Sequence, residues 1–256
     1  MSTEKKVLDF IASSKTNQTH CSTCSLSSLC LPITLQADDL NALEQVIKRG
    51  RPIQKGEVLF KQGDDFNAVF AIRTGALKSF TLAQSGEEQI TGFHLASELV
   101  GLSGYAEDVH SVSAKALETT TVCELPLDKL EILCDEIPDL RKQVMRNMSG
   151  EIRQDQQMML QLSKKSADER LAYFLLELSH RFERRGFSAK AFRLSMSRVD
   201  ISNYLGLAVE TVSRIFTRLQ KNGLITIEGK EITHLNLDAL NRLAGNPVAD
   251  TQCDAL

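Results

Sequence analysis

Tryptophan is absent from this 256-residue chain, and all aromatic residues together make up 5% of it. Aliphatic patterning therefore has to carry most of the reading. No apolar run approaches the roughly 18 residues that a membrane-spanning helix needs, which excludes a helical membrane protein. The first 18 residues include lysines but no continuous apolar stretch of the kind a secretory signal requires, so a cytoplasmic location is expected. A Gly-rich phosphate loop and a Ser-His-Asp ordering are also missing. The five histidines (His20, His94, His110, His180 and His234) show no ligand spacing. An enzyme is not expected.

What is present is uneven. The net charge of -3 conceals a basic stretch: residues 163–235 hold 13 Lys and Arg against 8 Asp and Glu, a balance of +5 that leaves -8 elsewhere. The basic end is the candidate for a polyanionic partner. Six cysteines in a reducing compartment read better as metal ligands or spare thiols than as disulfides.

Cys21, Cys24 and Cys30 form C-x2-C-x5-C beside His20. Three thiols inside ten residues can converge on one centre, yet they are one short of a closed zinc site or a four-thiolate iron–sulfur cluster. The fourth has to come from Cys123, Cys134 or Cys253. Cys123, inside a strand-like run, is the best placed, because Cys253 lies in a polar tail and Cys134 in a helix-like segment. The spacing names no metal, and zinc, with His20 as a further candidate ligand, stays open.

From about residue 53 to 125 the texture is one of short alternating runs punctuated by glycine. Strands are expected at 58–60, 68–72, 76–82, 89–93 and 119–125. Helices are expected at 38–48, before the strands, and at 128–134, after them. The fold class is α+β: an antiparallel β-roll, then a long helix, then a helical C-terminal part with a small hairpin.

The long helix is expected over about 140–162, roughly 35 Å at about 1.5 Å per residue. Along it Met145, Met148, Ile152, Asp155, Met159 and Leu162 fall at alternating intervals of three and four, a heptad seam suited to a parallel homodimer. Asp155 would set two carboxylates face to face across the axis at a cost of several kcal/mol. The seam therefore reads as deliberately marginal, so that an event elsewhere decides whether two copies pair.

An amphipathic helix over 168–184 precedes the most specific stretch. Ser197 and Asp200 give an S-x-x-D helix start, Gly206 suits a sharp turn, and a second helix runs to Gly223. Helix, glycine turn and helix at this spacing make a helix-turn-helix, and the hairpin over 225–233 makes it winged. Glu210, Ser213 and Arg214, at i, i+3 and i+4, share one exposed face of the second helix. Arginine can donate twice to guanine, glutamate can accept from cytosine, and serine can serve either.

Taken in this order, the roll, long helix and winged helix-turn-helix resemble the cyclic AMP receptor protein and Fnr superfamily of bacterial transcription regulators. Cys21, Cys24, Cys30 and Cys123, with the run from Val209 to Arg214, resemble its oxygen-responsive Fnr/Anr-type branch. The resemblance covers about residues 20–245. It divides the chain into a cluster-binding segment (1–36), the roll (37–137), the dimerisation helix (138–163), the DNA-binding domain (164–245) and a polar tail (246–256). It implies a [4Fe-4S] iron–sulfur cluster on the four cysteines, oxygen-controlled dimerisation, and base contacts by Glu210, Ser213 and Arg214 on double-stranded DNA with TTGAT half-sites. It further implies activation or repression of genes of anaerobic metabolism and contact with RNA polymerase through surface loops, residues 84–89 being a candidate. Cys134 and Cys253 match no ligand. Where cyclic-nucleotide members carry Arg and Glu for phosphate and ribose, this chain has His110-Ser111 and Leu102, so no cyclic nucleotide is expected.

Three rivals remain at this point. One is a regulator of the same fold sensing another ligand, such as haem-bound nitric oxide. The others are a redox enzyme and a zinc-stabilised DNA-binding protein without a sensing role.

Overall fold

The computed structural model describes residues 37–83 and 85–245 together with Cys21, Cys24, Cys30 and Leu35. His20, Gln84, Cys253 and the polar tail over 246–256 lie outside the described residues.

The chain opens with α1 (Ala37–Val46) and β1 (Lys48–Arg49). Strands β2 (Val58–Phe60), β3 (Ala68–Thr74), β4 (Ala76–Leu82), β5 (Glu88–Leu95), β6 (Leu99–Val100), β7 (Ser113–Ala116) and β8 (Thr121–Pro126) follow. They form two four-stranded antiparallel sheets in the orders β1-β8-β3-β6 and β2-β7-β4-β5, the two layers of the roll. Gly75, at φ +82, makes the tight turn from β3 to β4. A Cβ there would sit 2.5 Å from Thr120 Oγ1, so no other residue fits without movement.

Then come α2 (Leu127–Glu136), the long α3 (Pro138–Lys164) and α4 (Ala167–Glu183). After β9 (Phe192–Arg193) the chain forms α5 (Arg198–Leu205), α6 (Val209–Lys221), β10 (Ile225–Glu228), β11 (Glu231–Leu235) and α7 (Leu237–Leu243). Strands β10, β11 and β9 make the wing sheet. Ser197 and Asp200 form a reciprocal capping box on α5, and Gly206 ends it at φ +63, as the S-x-x-D and glycine signals predict.

Several expectations shift. The first helix stops at Val46 because Lys48 and Arg49 pair instead with Glu124 and Cys123 across β1 and β8. Strands β6 and β7 escape sequence reading: one has two residues, and Ser-Ala-Lys-Ala lacks β-branched or aromatic side chains. The long helix has 27 residues, about 40 Å, because Pro138 takes the first helical turn, where a missing N–H costs nothing.

One hydrophobic cluster lies wholly within the roll, around Ile72, Leu77, Val100 and Ala114, and a larger one joins the roll to the C-terminal part. Phe80, Ile90, Phe93, Leu95 and Leu117 of the roll share one hydrophobic cluster with Leu171, Phe174 and Leu175 of α4, Ile201 of α5 and Phe216 of α6. Tyr204 packs 5.0 Å from the Phe93 ring centroid. A second cluster joins Leu43 of α1, Leu125 of β8, Leu130 and Leu133 of α2 and Leu140 of α3.

Candidate cysteine site and nucleic-acid interface

Cys21 and Cys24 share a turn in which the Cys24 N–H donates to the Cys21 carbonyl at 3.3 Å. Cys123 stands on β8 directly across from Arg49 of β1. The Arg49 guanidinium lies 3.9 Å from Cys21 Sγ, and its charge favours the thiolate form of Cys123. Glu44 of α1 accepts from Arg49 at 2.6 and 2.9 Å, and its carboxylate also accepts the Cys21 backbone N–H at 2.8 Å. Cys30 packs against the second hydrophobic cluster, as Cys123 does. Cys134 packs there too, as a free thiol.

The electrostatics follow from burial. Burial, reinforced by Glu44, pushes the Cys21 thiol up to about 12, and burial raises Cys123 as well. Burial also works against the Glu44 charge, but hydrogen bonds from Arg49 and the Cys21 N–H prevail and hold that carboxyl at about 2. Without a metal these thiols stay protonated at neutral pH; metal ligation would deprotonate them. Arg49 Nε is buried with no hydrogen-bond partner among the described residues. A leftover buried donor beside several thiols suits an anionic, sulfur-ligated group, so the donor set fits an iron–sulfur cluster in its chemistry. Among the described residues no three Cys, His, Asp or Glu side chains converge closely enough to hold a single metal ion. Arg49 and Glu44 escaped sequence reading because their links to Cys21 span 28 and 23 residues, with no local pattern to announce them.

On α3, Met145, Ile152, Asp155, Met159 and Leu162 face solvent, and Met148 is half-buried against the second cluster. Ile152 and Met159 are 58% and 63% exposed, unusual for apolar residues inside a helix. Leu162 differs from the rest: its Cδ2 would lie 3.5 Å from a Cβ at Gly206, so it also borders the helix-turn-helix. Partial shielding from water by neighbouring side chains raises the exposed Asp155 carboxyl, and burial with Asp155 and Glu98 raises Glu151 to about 7.

On α6, Glu210, Ser213 and Arg214 are all exposed, and Arg214 Nε folds back to the Glu210 carbonyl at 3.4 Å. Thr217, Arg218 and Lys221 continue the stripe and line one open groove with Ser213 and Arg214. Arg218 is paired with Asp168 of α4. In the roll, His110 is 4% exposed and stacks on Phe60 with ring centroids 3.8 Å apart. Burial lowers its pKa, keeping the ring neutral. Ser111 Oγ donates to Ser103 Oγ at 2.8 Å, and Leu102 is buried.

Comparison with known proteins agrees with this layout. Residues 51–136 match the cyclic nucleotide-binding domain family and residues 169–243 the Crp-like helix-turn-helix domain family. The chain is 63% identical over 232 residues to the transcriptional activator protein Anr of Pseudomonas protegens, covering 91% of this chain and 95% of that protein. It is 53% identical over 227 residues to the fumarate and nitrate reduction regulatory protein of Escherichia coli, covering 89% and 91%. The chain belongs to the Anr/Fnr family of transcription regulators. Among solved structures, FixK2 from Bradyrhizobium japonicum superposes with a TM-score of 0.72 at 31% identity, covering 80% of this chain and 99% of that one. Like its relatives, this Anr/Fnr-family protein is a DNA-binding helix-turn-helix regulator and not an enzyme. None of its described helices is long and apolar enough to cross a membrane.

Proposed function

We propose that this regulator senses oxygen through an iron–sulfur cluster held by Cys21, Cys24, Cys30 and Cys123, and acts as a homodimer on a two-fold DNA site. When bound, the cluster supplies four iron–thiolate bonds and a centre labile to oxygen. The chain's own residues convert that ligation into a change of shape. Cys21, Cys24 and Cys30 precede α1 while Cys123 is on β8, so ligation ties the N-terminal segment to the roll. The observation that carries the reading is the shared core: Cys30, Cys123, Leu140, Val144 and Met148 all belong to or pack on one hydrophobic cluster. Ordering of the cysteine side therefore bears directly on the first half of the α3 seam. Met145, Met148, Ile152, Met159 and Leu162 then pair with a second copy, opposed by Asp155. A coupling of about 3 kcal/mol would shift dimerisation roughly 150-fold.

On DNA, Glu210, Ser213 and Arg214 of each copy read the base edges of one TTGAT-type half-site, and the pairing of two α3 helices sets the spacing between halves. The genes controlled would be those of anaerobic metabolism, activated or repressed according to promoter. A cyclic nucleotide is not the ligand on this reading, because His110 is neutral, buried and stacked rather than presented as a phosphate clamp. Residues 85–87, exposed at the tip of the β4–β5 hairpin, are the proposed contact for RNA polymerase. Glu88 and Gln89, by contrast, hydrogen-bond Asn203 of α5.

The test is an absorption spectrum of protein purified without oxygen, followed through admission of air with oligomeric state read on a sizing column. A brown dimer that bleaches and becomes monomeric is expected. A colourless protein whose dimerisation ignores air would sink the sensor reading and leave the DNA-binding assignment intact.

A further inference from the structure

Arg49 is a largely buried guanidinium that hydrogen-bonds the Glu44 carboxylate and Cys21 Sγ and stands opposite Cys123. Its side chain and that of Glu44 are only 19% and 16% exposed, which is costly unless every donor is used. Glu44 takes hydrogen bonds from both Nη atoms, Nη2 also lies beside Cys21 Sγ, and Nε is left over. Antiparallel pairing of β1 with β8 fixes Arg49 opposite Cys123, so its position is set by backbone and not by side-chain choice. Glu44 in turn holds the Cys21 backbone, so one ion pair reaches both Cys21 and the strand-borne Cys123.

Resting on the iron–sulfur reading above, we propose that Arg49, oriented by Glu44, is a positioning residue: its N–H groups hydrogen-bond the Cys21 and Cys123 sulfurs and clamp these two ligands to each other. Sulfurs that ligate iron carry more negative charge than thiols, which strengthens the N–H donation. Hydrogen bonds to ligand sulfurs are among the levers that tune such clusters, and loss of an outer-shell partner typically costs about 10–100-fold in metal affinity. Lysine keeps the charge at this position but loses the planar fork that can serve carboxylate and sulfurs together.

The full-length protein and its Arg49→Gln and Arg49→Lys variants would be loaded with iron and sulfide without oxygen and then challenged anaerobically with a chelator. Loss of the cluster absorbance gives the rate, and thermal melting of each apoprotein is measured alongside. Arg49→Gln is expected to release iron about tenfold faster than wild type, with Arg49→Lys between the two. Release at the wild-type rate from Arg49→Gln overturns the proposal, as does an acceleration that merely follows lost apoprotein stability. Should Arg49→Gln fail to fold, Arg49→Lys decides alone, and a wild-type rate there overturns the proposal. A wild type that takes up no iron and sulfide would instead refute the cluster reading itself.

Discussion

Lys78 Nζ lies 3.0 Å from Asp200 Oδ1, while the other oxygen of that carboxylate accepts from Ser197 N–H at 2.9 Å and Ser197 Oγ at 2.6 Å. One carboxylate thus caps α5 and pins the helix-turn-helix to the roll. Lys78, 9% exposed, is also 2.9 Å from Glu88. Burial opposes both charges, but their hydrogen bonds prevail, holding the Asp200 carboxyl below its usual range and Lys78 above.

Asp200→Ala should therefore cost about 2–4 kcal/mol, the sum of a lost cap and a buried lysine deprived of a partner. The measurement is urea unfolding, where a lower midpoint at unchanged slope is expected. Asp200 has a lowered folded pKa, so its contribution is present above its unfolded value and fades as acid takes the pH down through the folded one.

Glu151 behaves with the opposite sign. Its folded pKa is about 7 against an ordinary 4.5, through burial first and then Asp155 and Glu98. Between those values the folded chain binds more protons than the unfolded chain, so stability falls as pH rises from about 4.5 to about 7 and levels off above. At about 1.4 kcal/mol per pKa unit the full loss is about 3 kcal/mol. Glu151→Gln should flatten that part of a plot of unfolding midpoint against pH; a plot that keeps its slope would refute the assignment.

Asp155→Ala should strengthen self-association in air by about tenfold or more, by relieving like-charge repulsion worth about 1–3 kcal/mol. Sedimentation equilibrium of wild type and variant decides the matter. Identical dissociation constants would remove Asp155 from the switch.

On DNA, Arg214→Ala should cost about 1–3 kcal/mol and relax discrimination at a single base position in each half-site. Lys221→Gln, further along the same exposed stripe, should weaken all sequences alike and reduce the salt dependence by about one phosphate contact. Anisotropy titrations at several salt concentrations separate the two effects. A base-specific defect from Lys221→Gln would contradict this division.

Local signals were legible where one segment decides its own structure. The capping box at Ser197 and Asp200, the left-handed Gly206 and the short apolar runs of β3 and β4 bounded by glycine all act within a few residues, so the helix-turn-helix and most of the roll could be read directly. Of the heptad positions on α3, Met145, Ile152, Asp155, Met159 and Leu162 are exposed, while Met148 packs on the second cluster, a contact the spacing alone does not reveal. The short strands β6 and β7 could not be read, because they are strands by virtue of their neighbours' hydrogen bonds.

By itself, then, the sequence determined the order of elements, the thiol-bearing positions and the face of α6 turned outward, since periodicity, capping and spacing are properties of contiguous chain. Tertiary structure alone decided that roll and helix-turn-helix share a core through Phe93, Phe174 and Tyr204, and that Arg49 and Glu44 stand at the cysteines. Those contacts join residues far apart along the chain, and burial and desolvation, which give Lys78, Glu151 and Arg49 their character, exist only once the distant partners have met.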